Sequence, residues 1–162
     1  MTQASIQIRR AGADDARVIL DFILELADYE KLPHEVLASE EDIRRTLLGP
    51  QAKARALLCC IDAVAVGYAV YFFNYSTWLG KNGIYLEDLY VTPAFRGCGA
   101  GKALFRHVAK IALENNCGRY EWSVLNWNTP AIDFYESLGA KPMSEWTQYR
   151  IAGEALTQLA RN

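Results

Sequence analysis

Residues 85–105 read YLEDLYVTPAFRGCGAGKALF, and they decide the fold. The first seven are strand formers except for two adjacent carboxylates, Glu87 and Asp88. Pro93 breaks the run, glycines follow at 97, 99 and 101, and an apolar helical face begins with Leu104, Phe105, Val108, Ile111 and Ala112. Strand, glycine loop and helix in that order make an anion site, because the first amides of a helix lack partners and its dipole is positive there. Spacing narrows the anion. A Walker A loop needs glycine at 96 and serine or threonine at 103, where this chain has Arg96 and Ala103. A dinucleotide fingerprint needs a small residue at 102 or 104, where it has Lys102 and Leu104. What remains is [Q/R]-x-x-G-x-[G/A], filled by Arg96, Gly97, Cys98, Gly99, Ala100 and Gly101.

Outward from this stretch, Ile6 and Ile8 alternate as a first strand. Asp14 or Asp15 is positioned to cap a helix carrying Val18, Phe22 and Leu26, which closes in Asp28-Tyr29-Glu30-Lys31 before Pro33. Ser39, with Asp42 three residues on, predicts a second helix ending near Gly49-Pro50. Residues 56–61 and 64–73 read as strands joined at Asp62-Ala63, and 119–125 as another. Asn128 or Thr129 caps a further helix with Pro130 in its first turn and Gly139 at its end. A strand at 146–151 and a helix from Glu154 complete the chain. The order predicts an α/β fold on one mixed central sheet, a single domain over 1–162 without linker or repeat. Strict alternation sends Glu87 and Asp88 to opposite faces; both line one cleft only if the strand bulges there.

The 162 residues are 51% apolar with a net charge of −2, and no basic run marks a nucleic-acid partner. The four cysteines, 59, 60, 98 and 117, form no CxxC, and with His34 and His107 they have no metal-ligand spacing. We expect reduced thiols in a cytoplasmic protein with no metal, and only Cys98 exposed. No secretory h-region opens the sequence and no run approaches ~20 apolar residues, so no membrane segment is expected.

Five pieces carry a resemblance: LADYEKL (26–32), YFFNYSTWLGKNGIYLEDLYV (71–91), RGCGAGKAL (96–104), LNWNTPAIDFYESLGA (125–140) and GEALTQLA (153–160). In this order they resemble the GNAT superfamily of N-acetyltransferases, in the diamine branch of spermidine/spermine and thialysine N-acetyltransferases. The resemblance implies a sheet whose fourth and fifth strands splay to admit acetyl-CoA, and a homodimer. It implies that residues 89–91 (Leu89, Tyr90, Val91) meet the pantetheine, that residues 96–102 (Arg96 to Lys102) hold the pyrophosphate, and that Asn128, Ala131 and Phe134 touch the cofactor. It implies a substrate held by Tyr29, Glu30, Trp78, Glu87 and Asp88, with Glu87 as a water-relayed base and Tyr135 as the acid for the thiolate. Two places depart from the family: the turn between Cys60 and Val64 is short, and so is 141–147, where Glu145 is the remaining acid of an acidic stretch.

The chemistry suits those residue types. A primary amine with pKa near 10.4 is neutral in roughly one molecule in 2,500 at pH 7, a deficit of about 4.6 kcal/mol, so a base must take its proton. A tyrosine phenol is a good donor to a departing thiolate. The small cationic acceptor expected here, a diamine, polyamine or thialysine-like amino acid, stands beside two other readings: a protein lysine or N-terminal amine, and a catalytically silent acyl-CoA-binding domain.

Overall fold

The computed structural model describes residues 5–161. One sheet holds five strands in chain order: β1 (Ile6–Arg10), β2 (Ala54–Ile61), β3 (Val64–Ser76), β4 (Lys81–Val91) and β5 (Tyr120–Trp122). The first four pair antiparallel; β5 lies parallel to β4, a connection that needs the crossover helix α3 (Ala100–Glu114) between them. Residues 56–61 of β2 are all buried, as in a strand covered on both faces. The β2–β3 hairpin closes on Asp62 and Ala63 with φ of 49° and 68°, the left-handed pair a two-residue turn requires. Among the described residues no helix is long and apolar enough to cross a membrane.

Helix α1 (Ala16–Tyr29) packs Ile19 and Phe22 against Leu58, Tyr68, Val70 and Tyr90 of the sheet. Strand alternation leaves the other face to α3, which buries Leu104, Phe105, Val108 and Ala112. The Phe105 ring stacks on Tyr120 at 4.8 Å and meets the edge of Trp122 at 4.9 Å, tying α3 to β5. One cap is corrected. The Asp15 carboxylate does not cap α1; it accepts from the Gly12 amide and from Arg9 Nη1 and Nη2, each at 2.8 Å, and closes a turn ahead of the helix. The other holds: Ser39 Oγ accepts from the Asp42 amide (3.1 Å) and the Asp42 carboxylate from the Ser39 amide (3.0 Å). Helix α2 (Glu40–Asp42) then widens into a π turn over Ile43–Leu47 rather than running unbroken to Gly49.

Residues 124–161 make a second compact unit with α4 (Thr129–Ser137) and α5 (Gly153–Arg161). Asn128 Oδ1 accepts from the Ala131 amide at 3.4 Å, Pro130 sits in the first turn, and Gly139, at φ 91°, ends α4 as expected. The strand expected at 146–151 does not form: residues 141–150 are all exposed, as is Ile151. Alternating apolar residues become a strand only when a neighbour supplies the ladder. For the same reason the strand read at 119–125 is confined to Tyr120–Trp122, its paired residues.

Candidate active site

The central feature is an extra residue in β4. Its ladder with β3 runs from Ser76 opposite Lys81 to Tyr71 opposite Leu86, then resumes at Val70 opposite Asp88, skipping Glu87. Such a bulge re-aims the side chains around it. Glu87 and Asp88 therefore line one cavity of about 480 Å³, together with Glu30 from the end of α1, Glu35, and Tyr68 from β3. The other walls are apolar, among them Leu26, Val36 and Leu37. Among the described residues, no lysine or arginine lines this cavity.

Burial decides the electrostatics. The Asp88 carboxyl is raised chiefly by desolvation, opposed by a hydrogen bond from Tyr68 Oη to its Oδ2 at 2.8 Å, with the Glu87 charge adding to the rise. Glu30 is raised by burial and then by the charge of Asp88. Tyr68 is raised well above the usual phenol range by burial and by Asp88, so it stays a protonated donor. Neither Tyr68 nor Glu35 was indicated by the motifs. The signal available for Tyr68 was a phenol within the small and apolar run VAVGYAV.

Beyond Leu86, β4 loses its second neighbour. β5 pairs only with Ile84, Tyr85 and Leu86, while Leu89, Tyr90 and Val91 pair with Ala69, Tyr68 and Gly67 on the β3 side alone. The strand leads into the glycine loop. Gly97 (φ 80°) and Gly99 (φ 94°) occupy conformations that side chains rarely adopt, and Gly99 precedes α3 with no side-chain cap on the helix. Arg96 donates from Nε to the Val91 carbonyl at 2.9 Å, and its guanidinium lies 5.0 Å from the Tyr29 ring and 5.3 Å from the Tyr90 ring. Tyr29 thus braces the loop and does not line the acid cavity. Trp78, at the β3–β4 turn and 87% exposed, does not line it either. Cys98 is exposed, its thiol donating to the Phe95 carbonyl at 2.9 Å; Cys59 and Cys60 are buried.

In the second unit, the Asn128 cap sets the register of α4, on which Ala131, Phe134 and Tyr135 are each half-buried. The Phe134 and Tyr135 rings are 5.5 Å apart. Among the described residues no group of three or more His, Cys, Asp or Glu is arranged to hold a metal ion.

Set against known proteins, residues 21–140 match the model of the acetyltransferase (GNAT) family. The chain belongs to that family. This GNAT chain is 42% identical to the thialysine N-epsilon-acetyltransferase of Sus scrofa, over 97% of the chain and 98% of the relative. It is 33% identical to the spermidine/spermine N(1)-acetyltransferase-like protein 1 of Homo sapiens, over 95% of the chain and 24% of that longer protein. Among solved structures, an integron cassette protein from the mobile metagenome of V. cholerae superposes with a TM-score of 0.81 at 28% identity, covering 98% of this chain and 99% of its own. The GNAT chain is an N-acetyltransferase of α/β fold, with β4 and β5 parting after Leu86.

Proposed function

We propose that this N-acetyltransferase moves an acetyl group from acetyl-CoA to a primary amine of a small cationic substrate. The bulge at Glu87 carries the reading: it turns two consecutive carboxylates into one cavity with Glu30 and Glu35, with no lysine or arginine among its described lining residues. Such a wall attracts a diamine, a polyamine or a thialysine-like amino acid through its ammonium groups, and Leu26, Val36 and Leu37 suit the methylenes between them. The named substrates of the relatives agree with this class.

Acetyl-CoA supplies an acyl group already activated as a thioester. The loop fits its pyrophosphate: Gly97 and Gly99 take up left-handed backbone, and the first amides of α3 lack a side-chain cap. In this proposal residues 96–102 hold the pyrophosphate, Arg96 acting through the loop it braces. The open edge of β4 at Leu89, Tyr90 and Val91 offers backbone to the pantetheine, and Asn128, Ala131 and Phe134 complete the cofactor contacts. Glu87 takes the ammonium proton through water, Asp88 and Glu30 hold the cation, and the Tyr135 hydroxyl holds the proton for the departing sulfur. The chain works as one acetyltransferase domain in a cytoplasmic homodimer; the family match, running through the unit boundary at Ser123, supports the single domain.

Purified protein assayed with acetyl-CoA against 1,3-diaminopropane, spermidine, thialysine, lysine and lysine peptides tests this. Turnover of the free amines in preference to peptides is expected. Peptide acetylation without free-amine turnover would move the acceptor to proteins, and cofactor binding without any turnover would make the chain a silent acyl-CoA module.

A further inference from the structure

We propose that Tyr68 is a positioning residue for the amine: its buried hydroxyl keeps Asp88 turned into the acid-lined cavity as the anchor for the substrate cation. This rests on the function proposed above and adds a residue outside every recognised motif. Tyr68 has 0% exposure, and its Oη donates to Asp88 Oδ2 at 2.8 Å. The ring is fixed by packing, stacked on Phe22 with centroids 5.6 Å apart and planes 11° from parallel. Tyr68 lies opposite Tyr90, and Asp88 lies opposite Val70, so the pair is diagonal across the ladder on the face that packs α1. Only the bulge brings them together. Without the skipped Glu87, the residue opposite Val70 would be Glu87 and Asp88 would point away.

A phenylalanine would fill this core position as well and would bury no hydroxyl. A buried phenol needs a partner, and here the partner is a carboxylate whose other neighbours repel it. Glu87 comes from its own strand and Glu30 from the end of α1, while Glu35, in the Pro33–Glu35 turn, is paired with His34 at 3.6 Å. Among the described side chains lining the cavity, Tyr68 is the one hydroxyl donor. It therefore offsets part of the cost of keeping Asp88 ionised before a cation arrives, and fixes which way the carboxylate faces.

The test is Tyr68→Phe, which keeps the ring packing, made alone and in an Asp88→Asn background. Three readouts are needed: the carbon-13 titration of the Asp88 side-chain carboxyl, the acid limb of kcat/KM for the amine, and the thermal midpoint to confirm folding. In Tyr68→Phe the carboxyl titration is expected to move up by about one pH unit, the scale of a lost bond to a charged group. The acid limb should move with it, and KM for the amine at pH 6 should rise several-fold with kcat nearly unchanged. In the Asp88→Asn background, Tyr68→Phe should add nothing to either kinetic constant. An unmoved carboxyl titration in a folded variant, or an equal effect in the Asp88→Asn background, overturns the inference. Failure of the wild-type protein to turn over any small amine instead removes the reading beneath it, while the substrate-free titration still judges the Tyr68–Asp88 link.

Discussion

The two halves of β4 are built from similar residues and held differently. Over Ile84, Tyr85 and Leu86 the strand has β3 on one side and β5 on the other, and Ile84 and Leu86 are buried to 0% and 3% exposure. From Glu87 to its end it keeps β3 alone, begins with a bulge, and carries two acids. A doubly paired strand has its backbone groups satisfied and its side chains directed by strict alternation. Losing one neighbour frees an edge of N–H and C=O groups, and the extra residue frees the side chains from that alternation. The first half supplies rigidity, and in the proposed function the second uses it to aim groups at a ligand.

That contrast breaks most sharply at the proposed proton-transfer groups. Glu87→Gln should lower kcat/KM for the amine by about a hundredfold at neutral pH with little effect on the thermal midpoint, since Glu87 is exposed and outside the ladder. The loss should shrink as pH approaches the amine's own pKa, where the substrate needs no base. A pH-independent loss would instead make Glu87 a binding group. Tyr135→Phe should cost between about a hundredfold and a thousandfold in kcat; full turnover at saturating acetyl-CoA would end its role as the acid.

A smaller effect is expected in the loop that the open half feeds. Gly99 sits at φ 94°, where a side chain costs about 1–2 kcal/mol, so Gly99→Ala should raise KM for acetyl-CoA by about tenfold and leave kcat within about twofold. Gly101→Ala is the control for backbone strain. A Cβ at Gly101 meets only Val91 Cγ2, at 3.7 Å, an ordinary contact. If Gly101→Ala raises KM as much as Gly99→Ala, the loop needs close ligand approach more than it needs left-handed backbone.

What the sequence reveals follows the same division. The glycine loop, the Asp62-Ala63 hairpin, and the Ser39 and Asn128 caps depend on residues within a few positions of one another, and each was legible. The bulge was legible as a condition: adjacent acids on a strand either split between faces or require an extra residue. Tyr68 was not legible, because its partner lies 20 positions away and their meeting depends on a register that the bulge sets. The strand expected at 146–151 shows the opposite failure, a local pattern without the neighbour that makes it a strand. Tyr29 was legible as a residue of interest, and the structure adds its place against Arg96.

The smallest effect concerns stability and separates charge from shape at the cavity. Asp88 and Glu30 are both raised by burial. A carboxyl raised in the folded state favours folding below its unfolded pKa, and that advantage is lost as pH rises through its folded value. Asp88→Asn removes the charge and keeps an oxygen able to accept from Tyr68. It should therefore raise the thermal midpoint at pH 7 by a few degrees, the response of a chain this size to roughly 1 kcal/mol, while weakening amine binding. The gain should fade as pH falls through the raised pKa of Asp88 and the carboxyl itself becomes neutral, and a polyamine should stabilise the wild type more than the variant. Thermal melts of both proteins from pH 4 to 8, with and without spermidine, measure all three. A variant less stable than wild type at every pH would mean that the Tyr68–Asp88 bond serves the core before it serves the substrate, placing Asp88 with the rigid half of its strand.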